Sequence, residues 1–177
     1  MRKAARFSRT KSCNRHGQRC SVLAATRLAI FALAACLACS AGESCPWINS
    51  ATVAGIMGST AQTKSTFKPG ANGDGVCEFT GTEDRSPYTV RVEVTTAADA
   101  AAQVSKLAAK CGSKPAALHG IGNEAVTCST RKDEVAIGRV RDRTFVIRLH
   151  TNAHGSSRKD LAEKAARVAE QVAGNLY

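Results

Sequence analysis

No acidic residue occurs before Glu43, although Arg2, Lys3, Arg6, Arg9, Lys11, Arg15, Arg19 and Arg27 all precede it. The apolar stretch after Arg27, LAIFALAACLAC at residues 28–39, has 12 residues. A membrane-spanning helix takes about 20, so this stretch is too short to be one. Further along, the chain lacks a G-x-S-x-G nucleophile elbow, a nucleotide-binding fingerprint and internal repeats. It also lacks cysteines at zinc-site spacing after residue 42: the gaps between Cys45, Cys77, Cys111 and Cys128 are 32, 34 and 17 residues. These absences leave the nucleotide-binding and structural-zinc readings without a motif, and a hydrolase without a nucleophile elbow.

A basic front, a short apolar core and small residues at its end form the pattern of a secretory signal peptide, residues 1–41. Two exits from it are open. Cleavage after Ala41 releases a soluble chain, residues 42–177. Alternatively, Leu33-Ala34-Ala35-Cys36 resembles a lipobox, in which Cys36 is lipidated and becomes the membrane anchor. Either exit discards Cys13 and Cys20, whose neighbour His16 gives them a metal-site look. Cys36 and Cys39 have redox-pair spacing, but no strand-to-helix context surrounds them.

Processing also changes the charge. The whole chain carries 25 basic and 14 acidic residues, a net charge of +11 that suggests nucleic acid. Removing the eight basic residues of the leader leaves 17 against 14, and that signal largely disappears. No nucleic-acid partner is expected.

The remaining chain suits one domain. Residues 48–58 read as a short helix with Asn49 at its cap, followed by a polar, Gly- and Thr-rich loop over 59–75. Residues 76–80 and 88–94 read as strands, the second alternating valines with Thr89, Arg91 and Glu93. Thr96 to Asp99 opens a second helix with the stripe Val104, Leu107, Ala108 and Cys111. Strands follow near 123–129, 135–141 and 144–149, the last two joined across Asp142-Arg143. A final helix from Ser156 or Ser157 places Leu161, Ala165, Val168 and Val172 inward. The expected fold is α+β: about five antiparallel strands covered on one face by three helices.

Four cysteines in an exported chain suggest two disulfides, and three pairings are available. Cys111 lies on the buried helix stripe and Cys128 on the next strand. Cys45 precedes the first helix and Cys77 opens the first strand. The expected pairs are therefore Cys45–Cys77 and Cys111–Cys128.

Several further residues carry candidate chemistry. Arg91, Arg139, Arg141 and Arg148, with Lys132 nearby, fall outward on strands and form a candidate basic binding face. The competing reading is a solvated face balanced by Glu93. Trp47 beside Cys45 is expected to pack against a disulfide in the core rather than to anchor a partner. Gly120-Ile121-Gly122 reads as a tight turn feeding a strand. His119, His150 and His154 offer no metal-binding spacing in this context, and no metal or cofactor is implied.

Several stretches also resemble known proteins. Cys45-Pro-Trp-Ile-Asn-Ser-Ala-Thr-Val-Ala-Gly-Ile-Met-Gly58, Cys77-Glu-Phe79, Gly120-Ile-Gly-Asn-Glu-Ala125 and Val140-Arg-Asp-Arg-Thr-Phe-Val-Ile-Arg148 resemble small bacterial envelope proteins. These are secreted proteins or lipoproteins best known from actinobacteria, many carrying domains of unknown function. Some resemble the PsbP-like α+β fold. The resemblance implies an envelope location and brings no catalytic residues. The functional expectation is a non-catalytic, disulfide-stabilised binding or accessory protein. Its partner would be an envelope protein, a polysaccharide or anionic lipid. The alternative is a small exported hydrolase using His119, His150 or His154.

Overall fold

The computed structural model of the chain describes residues 44–59, 62–152 and 157–177. The leader with Cys36, the two exits from it and His154 lie outside these residues.

The elements run α1 (Ser50–Met57), β1 (Lys64–Pro69), β2 (Gly75–Glu83), β3 (Ser86–Thr96), α2 (Ala100–Ala108), β4 (Ala116–Ala117), β5 (Glu124–Ser129), β6 (Glu134–Val140), β7 (Arg143–Thr151) and α3 (Arg158–Gly174). The strands form one seven-stranded antiparallel sheet in the order β1-β2-β3-β7-β6-β5-β4. The class is the expected α+β, with two more strands than the sequence suggested. Both additions are edges. β1, KSTFKP, is exposed except at Phe67, so it shows almost no apolar signal. Its two lysines and terminal proline suit an edge that must not pair with another chain. β4 is only two exposed alanines after Pro115.

A second correction concerns the helices, which cover both faces of the sheet. α1 and α3 bury Val53, Met57, Ala165, Val168 and Val172 against Phe79, Val90, Val92, Val94, Phe145 and Ile147. On the opposite face, α2 packs Val104 and Leu107 onto Val126, Val135, Ile137 and Val146. The sequence carries the reason. β6 contains the run Val135-Ala136-Ile137 and β7 the run Phe145-Val146-Ile147, which place apolar side chains on both faces. A strand that is apolar on both sides must be covered on both sides. The valines of β3 alternate cleanly because its second face is open, showing Thr89, Arg91 and Glu93 half-exposed.

Local signals explain the helix ends. Asn49 Oδ1 accepts from the Thr52 amide at 2.8 Å, and Ser157 caps α3 by accepting from the Asp160 amide. The cap of α2 is Asp99, whose carboxylate accepts from the Ala102 amide at 2.9 Å. Thr96, expected to open that helix, ends β3 instead: its amide and hydroxyl both donate to Asp74.

The β6–β7 hairpin turns one residue earlier than expected, at Arg141-Asp142, with Arg141 at φ 56°. Gly138 consequently faces Phe145 rather than Ile147. The ring lies over the glycine, where any side chain would collide. Shape complementarity, invisible in turn propensities, selects this register. In the β4–β5 loop Gly122 has φ 61° and any side chain there would collide with the Arg139 carbonyl, so the Gly120–Gly122 segment is a turn that feeds β5.

One ion pair is largely enclosed. Lys164 on α3 has a side chain only 12% exposed, with Nζ 2.6 Å from Glu83 and 3.1 Å from Asp160. Burial acts to lower its pKa, but the hydrogen bonds and charges of Glu83 and Asp160 outweigh it and hold the pKa above the ordinary 10.5. A raised folded-state value means the pairing stabilises fully below 10.5 and is lost as pH rises through the folded pKa. Lys164→Met should therefore lower stability by about 2 kcal/mol at neutral pH. Denaturant titrations of both proteins should show that deficit shrinking above pH 10.5.

Candidate functional site

Both expected disulfides are present. Cys45–Cys77 joins the segment before α1 to β2, with α-carbons 5.7 Å apart. Cys111–Cys128 joins the end of α2 to β5, with α-carbons 6.0 Å apart. One bridge therefore serves each half of the sheet. Trp47 is 3% exposed in the core and meets Phe67 edge to face at 5.7 Å. Its carbonyl accepts from the Asn175 side chain at 2.9 Å, which ties the start of the fold to its last helix.

The four candidate arginines do not form one patch. Arg91 and Arg148 are direct cross-strand partners on the face that carries α2. Arg91 is shared between Glu93 at 3.7 Å and Glu78 at 4.0 Å, so its charge is balanced locally. Arg139 lies four residues along from the position opposite Arg148, about 14 Å away at strand spacing. Its guanidinium contacts Glu124 at 3.2 Å. The two positions are separated by Ile137 and Val146, which α2 covers. Arg141 leaves the strand altogether at the hairpin turn.

The two described candidate histidines lie on different elements. His119 is exposed in the loop before β5. His150 on β7 places Nδ1 2.9 Å from the Lys132 carbonyl and 3.4 Å from Asp133, which closes the end of the β5–β6 turn against β7. Among the described residues no group of three or more His, Cys, Asp or Glu is placed to hold a metal ion.

Positive charge does gather elsewhere, around the second disulfide. A small hollow beside α2 is lined by Lys110, Cys111, Thr130, Val135 and Arg148 among others. Next to it, sharing Thr130, lies a wider cleft of about 320 Å³ lined by Gly112, Ser113, Ser129, Thr130, Arg131 and Arg158. Its two walls are the residues that immediately follow Cys111 and Cys128. The walls are stitched together: the Gly112 amide donates to the Ser129 carbonyl at 2.9 Å, and the Ser129 amide donates to Ser113 Oγ at 2.8 Å. Beneath them, Glu134 is a carboxylate only 5% exposed, accepting from Ser129 Oγ at 2.7 Å and from Arg158 at 3.4 Å.

The sequence reading missed this cleft because Arg131 and Arg158 are 27 positions apart and neither lies on the strands searched for a basic face. The available signal was that both cysteines of one predicted bridge are followed by small hydroxyl residues. Among the described residues no helix is long and apolar enough to cross a membrane. No protein-family model, curated protein or solved structure matches the chain.

Proposed function

We propose that this is an exported, non-catalytic binding or accessory protein of the bacterial cell envelope, matured by removal of its basic leader. The observation that carries the reading is the pair of disulfides, which together use all four cysteines that follow the leader. Such bridges form and persist in oxidising compartments and are rare in the cytosol. The signal-peptide pattern of residues 1–41 and the likeness of residues 45–173 to small envelope proteins support the same location. The contact surface is the basic end of the domain around Lys110, Arg131, Arg148 and Arg158, which shares only Arg148 with the strand face expected from the sequence. Charge there favours acidic envelope partners.

Intact mass spectrometry of the native protein, before and after reduction, tests this. The expected result is a chain shortened by the leader, carrying or lacking a lipid at its new terminus. Reduction should add about 4 Da, two hydrogens for each bridge. A full-length chain recovered from the cytosol with free thiols would overturn the proposal.

A further inference from the structure

We infer that the cleft behind the Cys111–Cys128 bridge is a binding site for a phosphate-type tetrahedral oxyanion, taken free or as a monoester of a small polar group. Three features of the cleft point to this ligand.

The first is charge. Arg158 is anchored from below, its Nη1 reaching Glu134 and the Thr130 carbonyl at 3.4 and 3.5 Å, while its side chain remains 67% exposed. The single buried carboxylate at the site, Glu134, offsets one of the two arginines. Asp133, in the same turn, is not among the residues lining the cleft, and its Oδ1 lies 3.4 Å from His150 Nδ1. Arg131 has no partner among the described residues, so the cleft lining taken with Glu134 carries one uncompensated positive charge. Arg158 is also the first residue of the 17-residue α3, so the positive end of that helix lies at the rim. Guanidinium groups are the side chains that match a tetrahedral oxyanion with paired donors.

The second is the hydroxyl inventory. Ser129 and Thr130 are spent on structure, since Ser129 Oγ donates to Glu134 and Thr130 Oγ1 binds the Asp133 backbone. Ser113 Oγ accepts from the Ser129 amide, which leaves its proton available to a ligand.

The third is preorganisation. Gly112 and Ser113 follow one half of the bridge, and Ser129, Thr130 and Arg131 follow the other. The covalent link between Cys111 and Cys128 therefore holds the two walls at a fixed spacing. A volume of about 320 Å³ sits at the low end of small-ligand sites and admits the oxyanion with a few attached atoms.

The inference deepens the binding role proposed above, and the two are tested separately: export and bridging by mass, anion capture by titration. The full chain is expressed for export, recovered in its processed form, isotopically labelled and titrated with inorganic phosphate at low ionic strength. Chloride at matched ionic strength is the control. Saturable amide shifts are expected at Gly112, Ser113, Ser129 to Lys132 and Arg158, without equivalent shifts in chloride. Arg131→Gln, at an exposed position without partners, should fold normally and weaken phosphate binding by about tenfold. Arg141→Gln, at the hairpin turn, should leave it unchanged.

Two further arms separate the sources of the oxyanion. Tighter binding of glycerol 3-phosphate than of inorganic phosphate assigns a soluble monoester. Sedimentation with vesicles containing phosphatidic acid, a lipid monoester, but not with phosphatidylcholine vesicles, lost in Arg131→Gln, assigns a lipid headgroup. Shifts that follow ionic strength alone, or an Arg131→Gln protein that titrates like the parent, would overturn the inference.

Discussion

Replacing Cys45 and Cys77 together with alanine should lower the unfolding free energy by about 4 kcal/mol in the chain-entropy model, because the bridge closes a 32-residue loop in the unfolded chain. The same change at Cys111 and Cys128, which close a loop of 17, should remove about 3 kcal/mol. A domain of this size has about 5–15 kcal/mol in total, so losing both bridges, about 7 kcal/mol together, removes between half and all of it. The two pairs differ more in what they hold than in magnitude. Cys45–Cys77 pins the segment carrying Trp47 onto β2, with Cys77 fully buried. Its loss should move the emission of the single tryptophan to the red well before global unfolding. Loss of Cys111–Cys128 frees the end of α2 on the opposite face and should leave that emission in place. Urea titrations followed by fluorescence and by circular dichroism measure both effects. Coincident behaviour of the two variants in fluorescence would show that Trp47 does not depend on its neighbouring bridge.

A substitution of one methyl group should be nearly as damaging. In Gly138→Ala the added carbon would overlap the Phe145 ring, lie 2.8 Å from the Glu124 carbonyl oxygen and 2.9 Å from Ala125 Cβ. The ring can move at some cost, but the carbonyl belongs to the β5 backbone and cannot. Overpacking of this kind costs about 1–3 kcal/mol, and the fixed backbone contact places this case at the upper end, near 3. The second variant, Phe145→Leu, separates the two contributions. In the Gly138→Ala background it should recover part of the loss by removing the ring, while the contact with the Glu124 carbonyl persists. A double-mutant cycle from chemical denaturation reads that coupling. A Gly138→Ala protein as stable as the parent would mean that the β6–β7 register differs from the one described.

The same residues show where sequence reasoning succeeds and where it stops. Helix α3 was legible in full, because Ser157 caps it and Ala165, Val168 and Val172 recur at helical spacing over a long element. The cysteine pairs were legible because one partner of each lies next to an element whose buried side was already evident. β1 was not, since an edge strand needs only one apolar residue, here Phe67, and otherwise reads as loop. The hairpin register was not, since turn propensity favoured neither Asp142-Arg143 nor Arg141-Asp142 strongly. The arginines illustrate a further limit. Alternation along a strand tells which face a side chain takes, but not that α2 will lie across that face and part Arg139 from Arg148.

The sequence alone determined the α+β class, the three helices and the pattern of an export leader, because each follows from local periodicity, capping or charge order; it favoured the two disulfide pairs among three, and the fold brought them together. Only the tertiary structure decided that the sheet has seven strands, that helices cover both of its faces, and that Arg131 and Arg158 meet over Glu134. Those outcomes depend on which distant segments pack together. That choice is made by shape and burial summed over the whole chain, and no local window of residues contains it.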